Sequence, residues 1–260
     1  PAGDYEELKA LLPGCTLEPA DNLFDRLRQI KTPDEIDLLG RLSQISDTAI
    51  AASFGAVTVG STEMDMAGAL TKSVYAEGAE QFKLMIIATG PRSPLPNVGP
   101  TLRQLEAGDI CRVEIFSMIG GYHAGVCRTA TVGAPPPHAE DIRANLVECK
   151  YLVLDAIKPG ASARAVYETF LAKFGELGLP PISFVGHGIG LHLHEEPYLG
   201  KYDDYELEAG MVLGIEPLVY ETGFGFGQQL KDMVAVTDQG PTMAVVAVAV
   251  AVAALVAASL

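Results

Sequence analysis

The chain has 260 residues and a formal net charge of −15 at pH 7. A chain of this length buries roughly three quarters of the surface that its unfolded form exposes, so one large domain with a substantial core is expected. Nucleic-acid binding depends on Lys and Arg side chains that neutralise phosphates, and the acidic balance therefore argues against a nucleic-acid partner.

The four cysteines have neither the CxxC spacing of a metal finger nor the density of a disulfide-stapled domain. We therefore expect reduced thiols and a cytoplasmic protein. The chain begins at Pro1, and no basic segment with an apolar core and a cleavage site follows it, so no signal peptide is expected.

The first strong helix signal is the segment KTPDE at residues 31–35. Thr32 is a candidate N-cap, Pro33 suits the first turn, and Glu35 completes a capping box. Apolar residues then recur on one face as far as about Phe54, which predicts a long amphipathic helix.

The central part of the chain predicts strands around one hairpin. Residues 84–88 (LMIIA) indicate a buried strand, and residues 89–100 a loop that prolines and glycines interrupt. Two β-runs at 109–118 and 122–132 are joined by a short segment with the pair Gly120-Gly121, which favours a hairpin.

Helices are also predicted at 61–78, 138–157 and 162–177, and strands at 211–220 and 229–237. Helix pairs that alternate twice with antiparallel β-runs indicate the α+β class.

Residues 243–258, MAVVAVAVAVAALVAA, form an uncharged apolar run. The run is shorter than the roughly 20 residues that span a bilayer, and it lacks the aromatic and basic flanks of transmembrane segments. These features disfavour a membrane anchor, which stays one alternative beside an edge strand, a disordered tail and a sequence artefact.

A series of short motifs runs through residues 27–241. They are KTPDE (31–35), AGD (107–109), GY (121–122), RT (128–129), KPG (158–160), GHGIGL (186–191), HE (194–195), Pro197, GM (210–211), EP (216–217), Asp232 and Thr237. In order and spacing these motifs resemble the creatinase/aminopeptidase P/methionine aminopeptidase superfamily. The resemblance implies the pita-bread fold, in which pseudo-twofold halves of helices pack on a curved, mostly antiparallel sheet.

Within this superfamily the chain looks closest to creatinase and to the prolidase-like two-domain proteins. Residues 1–26 then resemble the end of an extra N-terminal domain or linker, residues 27–241 form the catalytic-type domain, and residues 242–260 are the apolar tail. Members of this type are commonly dimers, so the resemblance implies a homodimer. It also implies a small molecule or a short peptide as substrate.

Metallopeptidases of the superfamily hold two metal ions with two Asp, one His and two Glu. When the motifs are matched position by position, the two Asp ligands correspond to Glu114 and Gly125 and the His ligand to His187. The two Glu ligands correspond to Glu216 and Lys231. Gly125 offers no side chain, and Lys231 reverses the charge of its position. Because an ammonium group is repelled by a dication, we expect Lys231 to take the cation's place between the two carboxylates, with no metal and no other cofactor.

His187 and His194 of the GHGIGLHLHE segment occupy positions that family members use to contact substrate, whereas His192 is as consistent with a surface residue. Glu114 and Glu216 are candidates for acid and base work, and the alternative for them is a structural ion network with Lys231. The predicted catalytic residues are His187, His194, Glu114 and Glu216, and the predicted substrate-binding residues are Asn97, His194, Lys231 and Arg128.

Two departures from the family pattern bear on the chemistry. Asn97 stands where catalytic relatives have a histidine, and an asparagine cannot shuttle a proton near pH 7. Creatinase is the metal-free precedent, but its acidic residue before the Arg-Thr pair falls on Cys127, which is more typical of a buried small side chain. Hydrolysis of creatine itself is therefore poorly supported.

Three functions are consistent with these residues. The first is a metal-independent hydrolase or lyase of a small amidino, amide or amino-acid-like compound. The second is a catalytically silent pita-bread module that binds a peptide or protein, and the third is a one-metal Xaa-Pro peptidase. The pair His194-Glu195 and Glu216 favour the first over the second. Asn97, Gly125 and Lys231 favour the second over the third.

Overall fold

The structure is a computed structural model that describes residues 2–202 and 204–243. Its helices are α1 (Ala2–Leu11), α2 (Asp21–Gln29), α3 (Pro33–Gly55), α4 (Glu63–Ala76), α5 (Ala139–Ala156) and α6 (Ala163–Glu176), with a short 3₁₀ helix at Gly90–Arg92. Its strands are β1 (Gln81–Thr89), β2 (Ile110–Ile119), β3 (Tyr122–Thr131), β4 (Phe184–Gly188), β5 (Glu195–Gly200), β6 (Val212–Ile215), β7 (Leu218–Val219), β8 (Gln228–Gln229), β9 (Asp232–Thr237) and β10 (Gly240–Met243).

Each half of the domain packs a helix pair on an antiparallel sheet. In the first half, α3 and α4 cover a sheet with the strand order β1-β2-β3. In the second half, α5 and α6 share a core with a sheet of order β10-β9-β6-β4-β5. This arrangement confirms the predicted α+β class, because the same helix-pair and sheet unit occurs twice along the chain.

The predicted helix starts are confirmed by their capping bonds. The Thr32 side chain accepts a hydrogen bond from the Glu35 backbone N–H at 3.3 Å, and the Glu35 carboxylate accepts one from the Thr32 N–H at 2.7 Å. Thr62 and Asp65 form the same reciprocal pair at the start of α4. These bonds satisfy N–H groups that an isolated helix end leaves without partners.

The predicted hairpin is also confirmed. Strands β2 and β3 pair in register from Ile110 opposite Thr131 to Ile119 opposite Tyr122. Gly120 and Gly121 form the two-residue turn, with φ values of 58° and 83° that residues with a β-carbon adopt at a cost.

The predicted strand at 211–220 was wrong as one continuous element. It ends at Ile215, and the chain continues through Glu216 and Pro217 into β7, which pairs with β8 instead. A proline has no backbone N–H and cannot continue the hydrogen-bond ladder of a central strand. The break leaves the Glu216 side chain at a strand end.

Three other boundaries differ from the sequence expectation. The predicted strand at 229–237 begins only at Asp232, and the unassigned GHGIGLHLHEEP segment supplies much of β4 and β5. Helix α2 crosses the predicted domain boundary between residues 26 and 27.

A backbone bridge joins β3 of the first sheet to the segment that leads into β9 of the second. Lys231 donates its N–H to the Cys127 carbonyl at 3.1 Å and accepts the Cys127 N–H at 3.3 Å. Because Lys231 immediately precedes β9, this bridge sets the second sheet against β3 of the first. The functional side chains meet at this junction.

None of the helices within residues 2–202 and 204–243 combines the length and the apolar character needed to cross a bilayer. The Ala/Val run predicted at 243–258 lies outside the described residues except for Met243.

Candidate functional site

Four ionisable side chains from four separate segments converge between the sheets. Glu114 comes from β2, His187 from β4, Glu216 from the end of β6, and Lys231 from the residue before β9. Their exposures are 4%, 0%, 4% and 1%. A group of charges buried to this extent must be neutralised from within the protein, because water cannot solvate it.

Lys231 lies at the centre of this group. Its Nζ is 3.3 Å from Glu114 Oε1, 3.1 Å from Glu216 Oε2 and 3.0 Å from His187 Nε2. The same nitrogen lies 4.6 Å from the centre of the Phe116 ring. Gly214 makes room for the lysine stem, since a β-carbon there would lie 3.0 Å from Lys231 Cε.

The two carboxylates experience different environments. Burial raises the pKa of Glu114, and the attraction of Lys231 opposes this rise without cancelling it. Burial also acts to raise the pKa of Glu216, but Lys231 and the contact with His187 outweigh it and hold this pKa at about 2. Burial alone would lower the pKa of Lys231, yet the two carboxylates raise it, so the lysine is an ammonium at neutral pH.

His187 and His194 form a stacked imidazole pair. Their ring centres are 3.8 Å apart, with an angle of 18° between the planes. His187 Nδ1 lies 2.7 Å from the Gly188 carbonyl oxygen. A carbonyl only accepts, so Nδ1 carries a proton, and Nε2 lies between Lys231 Nζ at 3.0 Å and Glu216 Oε1 at 3.3 Å.

His194 is the member of the pair that reaches solvent. Its Nδ1 lies 2.9 Å from the hydroxyl of Tyr198. Burial lowers the pKa of His194 to about 4, with further contributions from His187 and Lys231, so the ring is neutral at pH 7. Its other ring nitrogen has no hydrogen-bond partner among the described residues and is open to a ligand.

A buried ion pair fixes the segment that carries His194. Lys31 Nζ donates to Glu195 Oε2 at 3.0 Å, and Glu195 Oε1 accepts the His192 N–H at 3.0 Å. Gly190 leaves room for this ion pair, because a β-carbon there would lie 2.9 Å from the Glu195 carboxylate and would displace it. The start of α3 thereby holds the histidine segment in place.

Sequence reasoning missed two polar side chains of the cluster. Gln229 Nε2 donates to Glu114 Oε2 and to Glu216 Oε2, each at 3.2 Å. Its Oε1 accepts from Arg112 Nη1 at 2.9 Å, and Arg112 is fully buried. The sequence contains a signal for each of them. Gln229 lies two residues before Lys231, so both side chains point to the same side of an extended segment. Arg112 is a charged residue within a mostly apolar strand, and such a residue is rarely buried unless it is paired.

Sequence reasoning also missed the role of Phe116. This residue pairs directly with Gly125 across the hairpin, and a β-carbon at position 125 would overlap its ring. The aromatic ring therefore fills the volume that a side chain from β3 would need. The absence of a side chain at 125 and the presence of Phe116 are two parts of one packing arrangement.

The donors present do not fit a two-metal centre. The ammonium of Lys231 occupies the space between the remaining carboxylates, and the Phe116 ring blocks position 125. Within the described residues, no group of three or more His, Cys, Asp or Glu side chains is placed to hold a metal ion. Two carboxylates, one ammonium and a guanidinium balance in formal charge within the cluster.

Other predicted site residues lie around the cluster. Arg128 pairs with Asp47 at 2.9 Å and Asp232 at 2.8 Å, and it donates to the Lys231 carbonyl at 2.7 Å. This position supports the Lys231 backbone and leaves the guanidinium little capacity to bind substrate. Asn97 is exposed on its loop and makes no hydrogen bond to a described residue.

Cys127 is fully buried, as its mid-strand position predicted. Burial raises the pKa of its thiol well above the ordinary value, so it is not a thiolate at neutral pH.

Comparison with known proteins agrees with the fold. Residues 37–238 match the model of metallopeptidase family M24. The chain is 31% identical over 224 residues to the Xaa-Pro dipeptidase of Pyrococcus furiosus, covering 85% of this chain and 64% of that protein. It is 34% identical to the probable dipeptidase PepE of Mycobacterium bovis, covering 85% of this chain and 60% of that protein. The chain thus spans less than two thirds of the length of these two relatives.

Solved structures show the same relationship. The prolidase from Pyrococcus horikoshii OT3 superposes with a TM-score of 0.88 at 29% identity, covering 94% of this chain and 71% of that one. The prolidase from Pyrococcus furiosus gives a TM-score of 0.83 at 30% identity, over 87% and 68% of the two chains. The chain therefore has the pita-bread fold and belongs to metallopeptidase family M24.

Proposed function

We propose that this chain is a metal-independent hydrolase of family M24 that acts on a small amide, amidino or amino-acid-like compound. The observation that carries the proposal is the Lys231 ammonium, which lies within 3.3 Å of Glu114, Glu216 and His187. A catalytic metal generates hydroxide from water at neutral pH, and here a protein cation takes up the ligands that such a metal would use.

The proposed reaction assigns proton transfer to His194. With Nδ1–H donated to the Tyr198 hydroxyl, Nε2 carries a lone pair and takes a proton from water as the water oxygen attacks the carbonyl or amidino carbon. The same imidazole then gives that proton to the departing nitrogen as the carbon–nitrogen bond breaks. The stack on His187 holds the ring orientation throughout.

The test is turnover of a panel of small amides, amidino acids and dipeptides, measured by release of amine, ammonia or urea with and without EDTA. We expect chelation to leave the rate for any accepted substrate unchanged. His194→Ala should lower that rate by about a hundredfold or more, the range of general acid–base catalysis. His192→Ala is the matched control, because its side chain is exposed two residues away.

The names of the relatives make Xaa-Pro dipeptide hydrolysis the alternative activity. We expect no more than trace hydrolysis of proline dipeptides, even with added Mn²⁺ or Co²⁺. A wild-type rate that depends on added metal and is abolished by EDTA would overturn the proposed function.

A second candidate function is a catalytically silent module that binds a small molecule, peptide or protein. The observation that favours it is the internal neutralisation of the cluster, whose four ionisable members are almost completely buried. Saturable binding of a panel compound without turnover of any compound would favour this candidate over the hydrolase.

The proposal also predicts the metal content of the protein. Chain purified without chelator should hold well below one equivalent of zinc, manganese, iron or cobalt by elemental analysis, because the lysine occupies the ligands. The matched variant is Glu216→Gln, which keeps the shape of the side chain and removes its charge. About one metal per chain, lost in Glu216→Gln, would contradict the prediction.

The homodimer and the cytoplasmic location stay predictions from the sequence resemblance. Sedimentation velocity of the purified chain tests the first of them.

A further inference from the structure

A surface cavity lies beside the imidazole pair. Its volume is about 280 Å³. It is lined by Ser183, Phe184, Glu196, Tyr198, Gly200 and Tyr202. Half of these residues are aromatic, and one carries a carboxylate. Such a volume accommodates a small polyatomic group and is at the low end of ligand pockets.

Two of the aromatic rings form a corner. The rings of Phe184 and Tyr198 meet edge to face, with centres 5.7 Å apart and planes at 83°. The carboxylate of Glu196 is oriented by the backbone, since its Oε2 accepts the Tyr198 N–H at 3.0 Å. Tyr202 contributes a third ring to the lining.

Aromatic faces carry negative electrostatic potential and attract a cation, most strongly where little water must be removed from it. Methylated ammonium groups meet that condition because they are weakly hydrated. A nearby carboxylate adds charge attraction, and the net charge of −15 favours the approach of cations in general. We infer that this cavity binds the cationic group of a small organic molecule, with a methylated ammonium as the preferred group.

The cavity shares its wall with the proposed reaction centre. The Phe184 ring lies 6.3 Å from the ring centres of both His187 and His194. The Tyr198 hydroxyl is the hydrogen-bond partner of His194 Nδ1. A cation held by these rings would place the rest of its molecule against the solvent-facing imidazole. Turnover of such a molecule depends on the function proposed above, whereas its binding does not.

Two protein cations lie near one edge of the cavity. Lys201 Nζ is 4.7 Å from the centre of the Tyr202 ring, and Arg164 Nη2 donates to the Tyr202 carbonyl at 3.2 Å. Both cations are engaged at Tyr202 and do not line the cavity. Phe184, Tyr198 and Glu196 line the cavity, and the selectivity for a ligand cation is assigned to them.

The test compares tetramethylammonium chloride with tert-butanol, a neutral molecule of similar shape, by calorimetry and saturation-transfer NMR. We expect saturable binding of the cation with a preference of about tenfold or more over the alcohol. Phe184→Leu and Glu196→Gln should each weaken cation binding by about tenfold, whereas Tyr198→Phe should retain it because the ring remains.

Tyr151→Leu is the matched control. Tyr151 is also an exposed ring with a lysine nearby, since Lys150 Nζ lies 5.3 Å from its centre, but it does not line the cavity. Thermal melting of each variant establishes that it is folded. Equal binding of the two probes, or unchanged affinity in both Phe184→Leu and Glu196→Gln, would show the inference to be wrong.

The cation cavity and the hydrolase function can be disproved independently of each other. If tetramethylammonium binds as expected but no compound of the panel is hydrolysed, the cation cavity stands and the hydrolase function is wrong. If compounds are hydrolysed while tetramethylammonium neither binds nor inhibits, the function stands and the cation cavity is wrong.

Discussion

Lys231→Ala is expected to lower the free energy of unfolding by about 3 to 5 kcal/mol at pH 8, the cost of removing one partner from a buried charge group. The substitution leaves Glu114 and Glu216 facing each other without a cation between them. Burial already acts to raise the pKa of both carboxyls, and loss of the lysine removes the attraction that opposes it. Chemical unfolding of wild type and variant measures the difference.

The stability of Lys231→Ala should fall more steeply than that of the wild type as the pH rises above 5. In the wild type the two carboxyls have opposite effects on stability. The pKa of Glu216 is about 2, below its ordinary 4.5, so its stabilisation is complete above pH 4.5 and is lost as the pH falls toward 2, whereas the raised pKa of Glu114 gives stabilisation that is lost as the pH rises above 4.5. In Lys231→Ala, the carboxyls should have folded-state pKa values above 4.5. The variant should therefore be most stable near pH 5 and lose stability as the pH rises toward 8.

Two variants serve as comparisons. Lys231→Glu should be less stable than Lys231→Ala, because it adds a third negative charge to the same space. Lys173→Ala removes a partly exposed surface lysine that pairs with the exposed Glu148, and its unfolding midpoint should match the wild type at every pH. If Lys231→Ala also unfolds like the wild type from pH 5 to 8, then Lys231 does not neutralise the cluster.

Restoring a carboxylate at position 125 should fail unless Phe116 is removed as well. Gly125→Asp forces a side chain into the volume of the Phe116 ring, and overpacking together with a buried charge should cost more than about 3 kcal/mol. Phe116→Ala alone leaves a cavity and should cost about 3 to 5 kcal/mol. The double variant should be destabilised by less than the sum, because each change accommodates the other.

Metal binding should also depend on whether the Phe116 ring is present. Gly125→Asp with Lys231→Glu should not bind Mn²⁺ appreciably, whereas the triple variant with Phe116→Ala should, as measured by calorimetry and elemental analysis. Asn97 would still limit turnover in the triple variant, since it cannot carry a proton near pH 7. Equal Mn²⁺ binding by the double and triple variants would show that the ring does not block the position.

The elements that local chemistry controls could be predicted from the sequence. Thr32 with Glu35 predicted the start of α3 because the capping bonds join groups three residues apart. Gly120 and Gly121 predicted the hairpin turn, since that turn requires positive φ at adjacent residues. The order of the motifs predicted the family, because each motif is a short segment that can be recognised without its partners.

The composition of the site was decided by tertiary structure. Lys231 meets His187 across 44 residues of chain, and Gln229 meets Glu114 across 115. Such contacts depend on the register of β2 with β3 and on the bridge that sets one sheet against the other, and neither follows from local propensity. The sequence by itself determined that position 125 is a glycine and offers no side chain. Only the packing of the hairpin determined that the Phe116 ring fills the space, because a volume is defined by all the segments around it.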